Sequence, residues 1–166
     1  LPYEMQLQAK QQQVYDQLVR IGHLEVPEIS PIVGSDETEY YRNKLEFTFS
    51  QRRWIFDQED AEALSEKEKY GLGFHVGRFF DKVLDINKCH LQVDISNRIR
   101  LAIKQFCIDN GYSFHNARAH EGLMRGIILR TASTGDIMLT IIFNENDKER
   151  ISALFDAVLK EFPQIT

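Results

Sequence analysis

Residues 122–143, GLMRGIILRTASTGDIMLTIIF, constrain the fold more than any other stretch: two apolar, β-branched runs flank a short STG turn. Such a pair forms an antiparallel hairpin, because the turn glycine supplies the backbone freedom a tight connection needs. A further strand is predicted over YRNKLEFTFSQ, where Leu45, Phe47 and Phe49 point one way and Lys44, Glu46, Thr48 and Ser50 the other. YGLGFHV and KVLDI read as a strand pair joined around Gly77. Three helical patterns accompany these runs. The first, YEMQLQAKQQQVYDQLVRIG, carries Met5, Leu7, Val14, Leu18 and Ile21 as an amphipathic set and stops at Gly22. The second, capped by Asp94 or Ser96, carries Ile95, Ile99, Leu101, Ile103 and Phe106 and ends at DNG. The third follows NENDKER with Ile151, Leu154, Phe155, Val158 and Leu159 and ends at Phe162-Pro163. PEISPIVGSDETEY, with its prolines, glycine and acids, is an extended connection with at most a short edge strand. Hairpins and helices without repeated βαβ units predict an α+β fold, a twisted, mainly antiparallel sheet with helices on one face.

At 166 residues the chain is expected to form one domain, residues 1–166, with a core large enough to need no staples. No apolar run approaches the roughly 20 residues that span a bilayer, and no signal segment opens the chain, so a soluble, cytoplasmic protein with no membrane partner is expected. Two cysteines, Cys89 and Cys107, with Cys107 inside a helical pattern, do not make a disulfide framework. The chain begins at Leu1 inside a helix lead-in and stops soon after a proline, and it reads as a piece of something longer.

The net charge of −5 is unevenly spread. Residues 57–69, DQEDAEALSEKEK, carry six acids against two lysines and read as a solvated loop insertion, over about 57–70, with a helical turn from 61 to 68. Just before it, RNKLEFTFSQRR holds four bases, Arg42, Lys44, Arg52 and Arg53, against one acid. Those bases could neutralise phosphates, with Tyr40, Tyr41 and Trp54 as stacking faces for unpaired bases, or they could be a solvated face. On that interleaving, Leu45, Phe47 and Phe49 are core, and the acidic segment is expected to turn away from the bases.

Chemistry-bearing motifs are few. Cys89, in DINKCHLQ, ends an alternating run just before a helix and can be a packed thiol, a nucleophile or a metal ligand. Eighteen residues separate it from Cys107, and His115 with His120 is the only histidine pair at plausible spacing, so a four-ligand zinc site is not spelled out. GLGFHVG lacks the dinucleotide-binding glycine spacing and reads as turn or bulge chemistry. GYSFHNARAHEG, with His115, His120 and Glu121, reads as a structural polar loop.

Three stretches together, YYRNKLEFTFS, GLGFHVGRFFDKVLDINKCHLQ and LRTASTGDIMLTIIF, resemble the central domain of the RumA/TrmA-type RNA (uracil-5-)-methyltransferases, most nearly the 23S ribosomal RNA branch. The resemblance implies a parent with an N-terminal β-barrel, this central domain and a C-terminal domain that binds S-adenosylmethionine. It also implies a four-iron, four-sulfur (4Fe-4S) cluster in which Cys89 matches the fourth ligand, the other three lying before Leu1; His90 and Cys107 receive no ligand role. The implied reaction adds a cysteine thiolate to C6 of a flipped-out uracil, transfers a methyl group to C5 and removes the C5 proton, giving 5-methyluridine. Its catalytic and cofactor-binding residues belong beyond Thr166, so none is assigned here.

The expected function is therefore RNA binding, through Arg42, Lys44, Arg52 and Arg53, and iron-sulfur anchoring, through Cys89, within a 23S rRNA methyltransferase. The isolated segment is expected to be inactive and to carry neither cluster nor S-adenosylmethionine. Its expected partners are ribosomal RNA and the two missing domains. The rival reading is a stand-alone, non-enzymatic RNA-binding or protein-interaction α+β module.

Overall fold

The computed structural model describes residues 1–56 and 59–166, so the start of the acidic segment, Asp57 and Gln58, lies outside the described residues. Two compact units are present, Leu1–Glu39 and Tyr40–Thr166. In the first, helix α1 (Tyr3–Tyr15) passes into a π-helical turn at Asp16–Ile21. The helix ends at Gly22, whose N–H donates to Gln17 O at 2.8 Å. The proline-containing return segment forms no strand. It is tied to α1 by the Ser35 N–H donating to the Tyr3 hydroxyl at 2.7 Å and by Gln11 Nε2 donating to Ser30 O at 3.1 Å.

The second unit holds the sheet: β1 (Lys44–Ser50), β2 (Gly71–His75), β3 (Val83–Leu84), β4 (Met124–Thr131) and β5 (Ile137–Phe143), with helices α2 (Ile95–Asp109) and α3 (Lys148–Glu161). The strand order is β3-β2-β1-β4-β5 and every pairing is antiparallel. This is the α+β architecture expected from the hairpin and helix patterns. Alternation on β1 puts Leu45, Phe47 and Phe49 into one core with Leu72, Ile127 and Leu129 of the neighbouring strands and with Ile99, Ile103, Leu154 and Val158 of the helices. In a strand successive side chains face opposite ways, so this alternation commits the other face of β1 to solvent.

Local chemistry explains the boundaries. The β4–β5 turn contains Gly135 at φ +93, a left-handed conformation that favours glycine. Asp147 caps α3 by accepting the Arg150 N–H at 3.1 Å. Of the glycines in GLGFHVG, Gly77 lies in the turn joining β2 to β3, whereas Gly71 and Gly73 are strand residues, and a Cβ at Gly73 would come within 1.9 Å of Leu84 O where β3 crowds in. Within the acidic segment the helical turn falls at Lys67–Lys69, later than the 61–68 expected from composition.

One core residue breaks the apolar pattern. Arg100 on α2 is wholly buried, donating from Nη1 to Leu72 O at 3.1 Å and from Nη2 to Asn87 O at 3.3 Å, with its guanidinium 5.2 Å from the Phe47 ring centre. Desolvation pulls its pKa down, opposed by the nearby Asp85 and Cys89.

Candidate functional site

Cys89 sits in the loop between β3 and α2, buried at the edge of the core. Asn97, in the first turns of α2, grips its peptide from both sides: Oδ1 accepts the Cys89 N–H at 2.8 Å and Nδ2 donates to Cys89 O at 3.1 Å. The backbone carrying the thiol is thus fixed by a side chain of the following helix. Cys107, on the core face of α2, is a different kind of thiol: burial pushes its pKa up to about 12, so it stays protonated and unreactive. Among the described residues no group of three or more His, Cys, Asp or Glu could hold a metal ion.

The four bases do not converge on one spot. Arg42 and Lys44 lie at the start of β1 and Arg52 and Arg53 just past its end, separated by a seven-residue strand, ~20 Å at ~3.3 Å per residue. Arg42 is exposed; its N–H donates to Leu91 O at 2.8 Å. Lys44 is also exposed, 3.3 Å from Glu46 on its own strand and opposite Arg130 on β4. Arg52 reaches Asp81 Oδ2 at 2.7 Å, and Arg118 from the loop before β4 reaches the same oxygen at 2.8 Å. Hydrogen bonding from Arg118, with the charges of both arginines, holds the Asp81 carboxyl below the usual range against the opposing effect of burial.

Arg53 departs from the expected segregation of charge. Its Nη1 and Nη2 form a bidentate pair with Glu59 at 3.0 and 2.7 Å, and Nε donates to Glu68 O at 2.6 Å. The acidic segment thus folds back onto Arg53 instead of turning away, because a half-buried guanidinium is best satisfied by a planar carboxylate fork. The bond from Arg53, helped by the Phe56 N–H, lowers the Glu59 pKa to about 2, and the Arg53 pKa is raised in turn. Arg53 is a structural clamp in this geometry, not a free phosphate ligand.

Beside β1 and β4 lies a cleft of about 370 Å³. Thr48 of β1 and Gly126 and Ile128 of β4 form its floor, with His75, Phe80 and His115 around it. The loop read as merely structural thus contributes to it, together with His120, a non-glycine residue at φ +60. Burial first, then the charges of Arg125 and His120, pull the His115 pKa down, and its Nδ1 has no hydrogen-bond partner. The lining comes from four stretches far apart in sequence, around β1, the β2–β3 connection, residues 115–128 and Ile142, so no local motif announces it.

No family model matches the chain. A Porphyromonas gingivalis protein described as an uncharacterized RNA methyltransferase is 51% identical over 171 residues, covering 100% of this chain and 37% of that protein. A Bacteroides thetaiotaomicron protein of the same description is 47% identical, again covering 100% of this chain and 37% of its own length. A third, from Chlorobaculum tepidum, is 34% identical across 98% of this chain and 34% of its own. Among solved structures, the tRNA (uracil-54, C5)-methyltransferase of Pyrococcus abyssi in complex with S-adenosyl-L-homocysteine matches 89% of this chain and 31% of its own, with a TM-score of 0.61 at 23% identity, a likeness of fold. This chain therefore spans little more than a third of the length of the curated relatives it matches, each described as an uncharacterized RNA methyltransferase.

Proposed function

We propose that this chain is the central, RNA-contacting domain of an S-adenosylmethionine-dependent 23S rRNA (uracil-5-)-methyltransferase of the cytoplasm. The observation that carries the proposal is the alignment of the whole chain, at 51% identity, with about a third of a protein described as an RNA methyltransferase. Uracil C5 as the methylated atom is supported by the name of the Pyrococcus abyssi neighbour, and the methyl donor by the S-adenosyl-L-homocysteine in it. The choice of 23S rRNA rests on the sequence resemblance around Cys89. S-adenosylmethionine would supply the methyl group in the whole protein, and no residue of this chain is assigned to it.

In this reading Arg42 and Lys44 hold RNA phosphates at one end of β1 and Arg52 does so at the other, while Arg53 secures the fold. Cys89 contributes one thiolate to an iron-sulfur cluster whose other ligands come from outside this chain, with its peptide held by Asn97. Incubating the full-length protein with a 23S rRNA transcript and S-adenosylmethionine, followed by mass spectrometry of the nucleosides, tests the proposal. 5-Methyluridine in the transcript is expected; methylation of tRNA alone, or at another atom, would overturn it. Iron analysis of a full-length Cys89→Ser variant tests the anchoring role, with loss of bound iron expected.

A further inference from the structure

The turn between β2 and β3 and its surroundings carry aromatic and basic side chains that the core does not use. Phe79 and Phe80 are 42% and 66% exposed, although the core closes without them. Trp54 packs edge-on to Phe79 with ring centres 5.5 Å apart, Lys82 Nζ sits 5.2 Å from both ring centres, and the Arg118 guanidinium lies 5.8 Å from the centre of Phe80. Arg52 and Arg118 both reach Asp81, and Arg78 and Lys82 lie within three residues of it in sequence, on a chain whose net charge is −5. Exposed rings flanked by cations suit a ligand with planar faces and negative charge.

The platform is also held still. Ser50 Oγ donates to Asp81 O at 2.8 Å, Arg52 and Arg118 grip the Asp81 carboxylate, and the Phe79 N–H donates to Val76 O at 3.0 Å. Arg78 adopts φ +71, a conformation L-residues seldom hold unless their surroundings impose it. An aromatic surface fixed in advance loses less entropy on binding than a mobile one. Phe80 and Asp81 also border the cleft described above, with Ser50, His75 and His115 around the same space.

We propose that this surface is a stacking subsite for unpaired RNA bases: a base lies on the open face of Phe80, its edge turned to the cleft, while Arg118 and Lys82 meet the flanking phosphates. The proposal rests on the RNA-contacting role given above and adds the site and the form of RNA it takes. Single-stranded RNA fits because its bases are free to stack, whereas a duplex offers this surface its backbone alone.

The test uses full-length protein and two probes, a 12-nucleotide oligouridine and an RNA duplex of equal length. Phe80→Ala should weaken oligouridine binding by roughly tenfold or more, given the usual contribution of one base–aromatic stack, leave duplex binding nearly unchanged, and be rescued by Phe80→Tyr. Unchanged oligouridine affinity in Phe80→Ala, or equal loss on both probes, would overturn it. A lowered melting temperature with RNA affinity intact would also overturn it, marking the surface as a seat for another domain. If the wild-type protein bound neither probe nor a 23S transcript, the RNA-contacting role itself would fall; tight transcript binding with no Phe80 effect removes the stacking subsite alone.

Discussion

The two faces of the sheet are made by the same strands and obey different physics. Toward the helices, β1 presents Leu45, Phe47 and Phe49, each at most 2% exposed; toward solvent it presents Lys44, Glu46 and Thr48. β4 repeats the division, with Ile127 and Leu129 buried and Ile128 and Arg130 more open. The covered face is set by the removal of apolar area from water, a non-directional force that any residue pattern of period two can recruit. The open face carries directional groups whose use depends on what the loops bring over it. Fold and binding surface can therefore vary separately on one set of strands.

Truncating the covered face should produce the largest effect. Phe49→Ala removes a wholly buried ring that meets Phe114 edge-on, at a cost of about 3–5 kcal/mol in urea denaturation, whereas Thr48→Ala next to it should stay within about 0.5 kcal/mol. Similar costs at the two positions would erase the distinction between the faces. Next comes Asn97→Ala, which strips both partners from the buried Cys89 peptide and should destabilise by about 1–3 kcal/mol. In the same variant the Cys89 thiol should react faster with a small alkylating reagent, because the loop that buries it loses its anchor.

The smallest stability effect belongs to the Arg53–Glu59 clamp, and its sign follows from the carboxyl. The folded-state pKa of Glu59, about 2, lies below its ordinary 4.5, so the contribution is complete above pH 4.5 and is lost as pH falls through about 2. Glu59→Gln should thus lower the melting temperature slightly at pH 7 and converge on the wild type near pH 2. A difference that persists undiminished at pH 2 would mean the carboxylate charge is not what holds the clamp.

Legibility in the sequence follows the same division. The strands showed in the alternation of Leu45, Phe47 and Phe49 and in the runs around STG, because burial of one face leaves a periodic mark. Helix α3 showed in Leu154 and Val158 at helical spacing. Arg100 could not be found this way: its burial depends on the carbonyls of Leu72 and Asn87, which only the fold brings to it. The approach of Glu59 to Arg53 was likewise hidden, since composition reports charge but not the path of a loop. The cleft was least visible, because Thr48, Phe80 and His115 lie on separate segments and each reads locally as an ordinary strand or loop residue. Cys89 was conspicuous as a residue, but its setting between Asn97 and the core was not.

The claim that the sheet domain grips RNA at the exposed start of β1 is tested most directly by the salt dependence of RNA binding. Full-length wild type and an Arg42→Ala/Lys44→Ala variant would be titrated with a single-stranded 23S rRNA fragment across a range of salt concentrations. Both side chains are exposed, so stability should change within about 0.5 kcal/mol. If they hold phosphates, affinity falls and the slope of log K against log salt becomes shallower by roughly 0.7 for each phosphate no longer neutralised; an unchanged affinity and slope would contradict the claim.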